Sequence, residues 1–206
     1  NLNSRRHPRA RQWWLILCSL GLTRAMSATI LWGDDQVPVL QRDWRRHATR
    51  LPYRKTYRLK VGERWQDAPT TEAQWEHYVE LGGEIVPAGA AIARELMAEG
   101  AIVALWTECW GAHPVFMSPE LIAVDPEGEL AEILGQLHAA NGRWGGLPDV
   151  IALFPDGRIV MREAKVRGKD RLSKTQHPFA RVARALLGDR LDLAVVEWAD
   201  EGPKRA

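Results

Sequence analysis

The chain has 206 residues, of which 46% are apolar and 26% are charged. This composition is typical of a folded globular domain and excludes disordered and collagen-like proteins. The two cysteines, Cys18 and Cys109, belong to no CxxC pair, which excludes a disulfide framework and predicts a reducing compartment, the cytoplasm. A zinc site is not expected, because Glu108, Cys109 and His113 would supply only part of one.

The net charge of +2 conceals an uneven distribution of charged residues. Residues 41–65 and residues 158–184 each contain nine Lys or Arg against two acids, whereas residues 66–140 contain thirteen acids and one base, Arg94. This distribution predicts two local basic surfaces for a polyanion. From charge alone, the simpler interpretation is that these runs are solvated faces.

Residues 1–25 resemble a secretory signal peptide, because they combine five arginines with an apolar stretch, Trp13 to Leu22, and are followed by small residues. The stretch is too short to span a membrane. Met26 provides an independent start, so the preferred interpretation is an extension outside the fold. Export directed by residues 1–28 is the alternative.

Residues 26–87 are predicted to form a basic, aromatic N-terminal region that is distinct from the domain after residue 87. The pattern predicts a short helix at 43–49 and one strand within 53–65. It also predicts a helix from residue 70 to Tyr78 or Leu81, ended by the Gly82-Gly83 pair.

From residue 88 onward, helical and strand patterns alternate. Helices are predicted at 88–99, at 127–140 or 129–140, and from Ser173 or Pro178 to Leu187. Strands are predicted at 101–106, 150–154, 159–164 and 191–198, with an extended segment at 114–125 that Pro119 interrupts. This order predicts an α/β or α+β domain with a mixed central sheet of about four strands flanked by helices.

The strand pair around the Pro155-Asp156-Gly157 turn carries an unusual set of charges. Glu163 and Lys165 are two residues apart and share a face of their strand, which Asp149 joins if the chain doubles back at the turn. Adjacent carboxylates favour a cation between them. Mg²⁺ or Mn²⁺ bound by the two carboxylates and one backbone carbonyl, that of Ala164, would leave positions for phosphate and water. A lysine beside them would assist phosphodiester hydrolysis.

Pro148-Asp149 and Glu163-Ala164-Lys165 resemble the motif of the PD-(D/E)xK nucleases. The ordered segments GRWGGLPDVIALF, IVMREAK, GKDRLSKTQ and LDLAVVEW, within residues 142–198, are similar to the VRR-NUC branch, which includes the Fanconi-associated nuclease. The family usually has valine where this chain has Ala164, and Pro178 interrupts the capping pattern of the next helix.

The resemblance implies a restriction-endonuclease-like core within residues 88–200. It implies that Asp149 and Glu163 are metal ligands, that Lys165 is the catalytic lysine, and that Gln176 is the glutamine found on the following helix. It also implies an upstream acid, for which Glu108 is the first choice, in a turn after the strand at 101–106. Glu95 and Glu99 are the weaker candidates.

Basic side chains around these motifs are predicted to contact a DNA backbone: Arg143, Arg162, Arg167, Lys169, Arg171 and Lys174. The predicted function is a Mg²⁺- or Mn²⁺-dependent DNA endonuclease. By analogy its substrates are flapped or branched DNA in repair or recombination, cut by a monomer or a homodimer, with no membrane involved. The alternative is an inactive nuclease fold that binds nucleic acid or a protein partner. A third interpretation, an exported or membrane-associated protein, depends only on residues 13–28.

Overall fold

The computed structural model describes residues 26–46, 58–61, 64–67, 78–110 and 113–199. The strands, in chain order, are β1 (Met26–Trp32), β2 (Asp35–Arg42), β3 (Arg45–Arg46), β4 (Arg58–Val61), β5 (Arg64–Asp67), β6 (Tyr78–Leu81), β7 (Glu84–Pro87), β8 (Val103–Trp110), β9 (His113–Met117), β10 (Ala123–Val124), β11 (Val150–Leu153), β12 (Ile159–Val166) and β13 (Leu191–Trp198). The helices are α1 (Ala88–Ala98), α2 (Gly128–Asn141) and α3 (Gln176–Leu187), and a short 3-10 helix, Gly188–Arg190, follows α3.

Eight of the strands form one mixed sheet, in the order β1-β2-β13-β12-β11-β8-β9-β10. Strands β8, β11 and β12 are antiparallel neighbours, whereas β13 runs parallel to β12 and β2 runs parallel to β13. The fold is therefore mixed α/β with helices flanking the sheet, as predicted. The sheet has eight strands and not about four, because the β1–β2 hairpin, β9 and β10 extend it at both edges.

The sheet separates two apolar cores. The first core lies on the side of α1, and it includes Ala91, Ile92, Val150, Val160 and Ala164. The second core lies on the side of α2 and α3, and it includes Leu134, Phe179, Leu105, Ile151 and Met161. Successive residues of β11 and β12 thus alternate between the two cores, as the period of a strand requires.

The β1–β2 hairpin is part of the same sheet as the motif strands. Strand β2 pairs with β13, with Val39 opposite Val195. The buried indole N–H of Trp32 donates to the backbone carbonyl of Gln176 at 3.1 Å, at the start of α3. Residues 26–42, which precede the predicted boundary at residue 88, therefore belong to the same sheet, because residues 39–42 of β2 pair with a strand about 155 positions later. No local pattern reveals that pairing.

Three predicted elements before residue 88 need correction. Gly82 and Gly83 do not end a helix but form the two-residue turn of the β6–β7 hairpin, with φ of 59° and 84°. The single strand predicted within 53–65 is a pair of antiparallel strands, β4 and β5. At the predicted helix 43–49, residues 45–46 form β3, which pairs with β6. The remainders of these predictions, at 47–49, 53–57, 62–63 and 70–77, lie outside the described residues.

The predicted elements after residue 88 agree closely with the structure. Helices α1 and α2 and strands β11 and β13 begin at their predicted residues or within one of them. Helix α3 begins at Gln176, so Pro178 is its third residue, where a missing N–H removes no helical hydrogen bond. Strand β8 continues through Trp110, so Glu108 lies in a strand and not in a turn. Among the described residues, no helix has the length and apolar character to cross a membrane.

Candidate active site

Three polar residues lie directly opposite one another on neighbouring strands. The register of β11 and β12 pairs Val150 with Arg162, so the next pair is Asp149 with Glu163. The register of β8 and β11 places Thr107 opposite Asp149, and the Thr107 N–H donates to the Asp149 carbonyl at 2.7 Å. Directly opposite residues place their side chains on the same face, with Cβ atoms about 5 Å apart. This face is the side of the second core.

Thr107, Asp149 and Glu163 form a polar row across the sheet, and apolar residues of the same face lie at both of its ends. Thr107 is opposite Phe116 of β9, and Glu163 is opposite Val195 of β13. Both apolar neighbours are buried in the second core. Polar side chains inside an apolar layer destabilise a fold unless they are paired, so this row is a candidate functional site.

Hydrogen bonds fix the two carboxylates relative to each other. Asp149 Oδ2 accepts the Ala164 N–H at 2.8 Å, and Glu163 Oε2 accepts the Asp149 N–H at 3.3 Å. Lys165 Nζ lies 2.8 Å from Glu163 Oε1. The side chain of Gln176 lies near Glu163 and acts to lower the pKa of that carboxyl group, while Gln176 Oε1 accepts the N–H of Ser173 at 2.6 Å. The sequence-predicted residues Asp149, Glu163, Lys165 and Gln176 are therefore brought together, and their roles remain predictions.

The electrostatics of this cluster show a deficit of positive charge. Burial, together with the charge of Asp149, raises the pKa of Glu163 to about 8. Burial also raises the pKa of Asp149, against the hydrogen bond from Ala164. The pKa of Lys165 is raised as well, because the carboxylates of Glu163 and Asp149 outweigh the effect of burial. One charged lysine thus faces two carboxyl groups that share a proton near neutral pH.

Asp170 is a charged neighbour that the sequence analysis missed. Its Oδ2 accepts the Val166 N–H at 3.1 Å, which closes the turn after β12. Its charge acts to raise the pKa values of both Asp149 and Lys165. The signal in the sequence was the presence of Gly168 and Asp170 directly after the strand, because both residue types favour turns.

The carboxylates of Asp149 and Glu163 provide some of the oxygen ligands that a divalent cation needs. Two carboxylates that resist ionisation next to each other would both ionise if Mg²⁺ or Mn²⁺ lay between them. Among the described residues, however, no group of three His, Cys, Asp or Glu side chains surrounds one point. Further ligands would have to be water, a backbone carbonyl such as that of Ala164, or an acid whose side chain is not described.

The three candidates for the upstream acid have different positions. The side chains of Glu108, Cys109 and His113 lie outside the described residues, so the prediction for Glu108 stays a prediction. Glu95 is on the opposite side of the sheet, in α1, where both of its carboxylate oxygens accept hydrogen bonds from Arg42 at 2.8–3.0 Å. Glu99 is an exposed residue at the end of α1.

Most of the predicted DNA contacts lie on the surface. One exposed member, Arg143, precedes β11. Four more follow β12 in the loop to α3 and are exposed as well: Arg167, Lys169, Arg171 and Lys174. Trp144, beside Arg143, stacks on His138 with ring centroids 4.4 Å apart and is half-buried, so it packs on the protein. The loop after β12 thus supplies most of the basic surface near the carboxylates.

Arg162 was predicted to contact DNA, but in the structure it is buried against Asp192. It is 3% exposed, and its guanidinium nitrogens lie 3.0 and 3.1 Å from the carboxylate of Asp192. Strand alternation explains the difference, because residue 162 is on the first-core face, opposite to Glu163. The pair holds the pKa of Asp192 below its usual value, although burial alone would raise that pKa.

Substitutions of Arg162 and Arg167 are expected to have contrasting effects. Arg162→Met removes the closer of the two arginines that pair with Asp192, the other being Arg158 at 3.4 Å. It is expected to lower the free energy of unfolding by about 2 kcal/mol, with little change in DNA affinity. Arg167→Ala removes an exposed cation, so stability stays within about 0.5 kcal/mol, while DNA affinity falls and its salt dependence becomes weaker. Thermal unfolding and DNA titration at two salt concentrations test both; weaker DNA binding by the folded Arg162→Met variant would contradict this assignment.

Comparison of the chain with family models, with curated proteins and with solved structures found no match. The resemblance to the VRR-NUC nucleases therefore depends on the motif residues alone.

Proposed function

We propose that the protein is a metal-dependent nuclease that hydrolyses phosphodiester bonds in DNA. The observation that carries the proposal is the pair formed by Asp149, half-buried just before β11, and Glu163, buried in β12, with Lys165 Nζ 2.8 Å from Glu163 Oε1. A protein gains no stability from two carboxylates whose ionisation is suppressed, so the arrangement favours a function that needs them. A core of the restriction-endonuclease type is part of the proposal.

Asp149 and Glu163 would hold the cation, with the Ala164 carbonyl beside them. A bound Mg²⁺ or Mn²⁺ supplies an activated water and stabilises negative charge on the phosphate. Lys165 is 15% exposed in its side chain and its pKa is raised, so it is a cation at neutral pH. Its role is therefore to stabilise charge on the phosphate and not to act as a base. Gln176, whose side chain acts to lower the pKa of Glu163, would orient that carboxylate.

The exposed basic residues of the loop after β12 support DNA as the substrate. Arg167, Lys169, Arg171 and Lys174 follow directly on the strand that ends with the site, and exposed cations in this position suit contacts with a phosphate backbone. A structured substrate, flapped or branched, and a homodimer remain proposals by analogy.

A module that binds nucleic acid without cleaving it is the second candidate. It is favoured by the absence of a third acidic ligand beside Asp149 and Glu163 in the part of the chain that the structure describes. Such a module would bind DNA in EDTA as well as in Mg²⁺ and would leave every substrate intact.

The decisive experiment measures cleavage of labelled single-stranded, duplex, flap and four-way-junction DNA in Mg²⁺, Mn²⁺ or EDTA. Lys165→Ala is expected to lower the rate about 10²- to 10⁴-fold without loss of DNA binding. Lys174→Ala, a matched lysine on the exposed loop, is expected to weaken binding but to retain turnover at saturating DNA. If the wild-type protein binds but cleaves none of the substrates with either metal, the nuclease proposal fails in favour of the binding module.

A further inference from the structure

Thr107 carries a buried hydroxyl that the fold itself does not explain. The residue is 9% exposed, and its Oγ1 has no hydrogen-bond partner among the described residues. Buried polar atoms without a partner are rare in native proteins and usually mark a bound water, an ion or a functional role. The hydroxyl therefore calls for an explanation from its surroundings.

The surroundings of Thr107 are the carboxylate pair. Thr107 lies directly opposite Asp149, and the Thr107 N–H donates to the Asp149 carbonyl at 2.7 Å. Leu105, two residues earlier on β8, is buried in the second core, so Thr107 is on the same face as Asp149 and Glu163.

We propose that Thr107 is a positioning residue of the cation site, whose hydroxyl holds a water molecule beside Asp149. The inference rests on the proposed function and adds a residue to the same site. Mg²⁺ and Mn²⁺ bound by two carboxylates keep several waters, and those waters need hydrogen-bond partners. On the β12 side Lys165 and Gln176 already contact Glu163. On the β8 side, the Thr107 hydroxyl is the only polar side-chain group in the described part of the row, because the next residue across the sheet is the apolar Phe116.

The competing explanation is that threonine serves only as a β-branched strand residue with a tolerated hydroxyl. Thr107→Val and Thr107→Ser separate the two roles. Valine keeps the branched shape and removes the hydroxyl, so it should leave the metal-free fold as stable as before or more stable. Serine keeps the hydroxyl and removes the methyl group, so it should retain cation binding even where it loses some stability.

The experiment titrates the full chain with Mn²⁺ by calorimetry, without DNA, and records thermal unfolding in EDTA. Thr107→Val is expected to raise the Kd for Mn²⁺ about fivefold with an unchanged or higher unfolding temperature in EDTA. Thr107→Ser is expected to bind Mn²⁺ within about twofold of wild type. Asp149→Asn serves as the reference for loss of the site.

Each other outcome overturns the inference. If Thr107→Val binds Mn²⁺ as tightly as wild type while Asp149→Asn does not, the cation site stands and the role of Thr107 fails. If Thr107→Ser binds Mn²⁺ as weakly as Thr107→Val does, cation binding depends on the methyl group and not on the hydroxyl. If wild type binds no Mn²⁺, the metal-dependent function and this inference fail together.

Discussion

In metal-free buffer at pH 8.5, Asp149→Asn is expected to make the protein more stable than wild type, although it abolishes cation binding and lowers cleavage more than 10³-fold. The amide oxygen can still accept the Ala164 N–H, and the amide NH₂ can donate to Glu163. The substitution therefore replaces repulsion between the carboxylates of half-buried Asp149 and buried Glu163 with a hydrogen bond. We expect a gain of about 2 kcal/mol, or about 4–8 °C in unfolding temperature for a chain of this size.

The pH dependence follows from the same pair of carboxyl groups. The pKa of Glu163 is about 8 in the folded protein, against 4.5 for an ordinary glutamate, and that of Asp149 is raised too. Between about pH 4.5 and pH 8 the folded state therefore binds more protons than the unfolded state, and stability falls as the pH rises. The loss is complete about one pH unit above the folded pKa of Glu163. A divalent cation that binds both carboxylates would restore the stability that is lost at high pH.

Thermal unfolding from pH 5 to pH 9, in EDTA and in Mn²⁺, measures these effects. The difference between Asp149→Asn and wild type should be small at pH 5 and largest above pH 8, and Mn²⁺ should stabilise only the wild type. Asp156→Asn makes the same chemical change in an exposed turn and should match wild type at every pH. A variant less stable than wild type at pH 8.5 in EDTA would show that the carboxylates do not repel each other.

The sequence predicted that Asp149, Glu163 and Lys165 come together because these residues are close along the chain. Asp149 and Glu163 flank a short hairpin, and the hairpin turn with strand alternation sufficed to place them on one face beside Lys165. Helices α1 and α2 and strand β13 were predictable for a similar reason, since their apolar periods and glycine boundaries lie within single segments.

Long-range contacts account for most of what the sequence did not reveal. The pairing of β2 with β13 and the pairing of Thr107 with Asp149 depend on register between distant strands. The burial of Arg162 also depends on a partner, Asp192, that lies 30 residues away. A basic residue next to Glu163 is predicted to contact DNA unless its strand face is considered, and residue 162 is on the other face.

Gly146→Ala is expected to destabilise the protein strongly, although the residue is neither charged nor catalytic. Gly146 has φ of 92°, and a Cβ atom there would overlap the carbonyl oxygen of Thr175 and lie 3.0 Å from Phe179 Cβ. The glycine therefore lets the loop before Asp149 pass against the first turn of α3. Left-handed strain and a backbone overlap together should lower the free energy of unfolding by about 3 kcal/mol, or about 6–12 °C.

The same substitution is expected to disturb the site, because α3 begins with Gln176. A shift of the first turn would pull Gln176 away from Glu163 and from the indole of Trp32. Gly145→Ala is the matched control, since its Cβ would meet only the flexible side chain of Arg143, at 3.5 Å. Thermal unfolding and Mn²⁺ titration of both variants separate the effects. If Gly146→Ala unfolds earlier but binds Mn²⁺ as wild type does, then α3 supports the fold without positioning the carboxylates, and Gln176 has no part in the site.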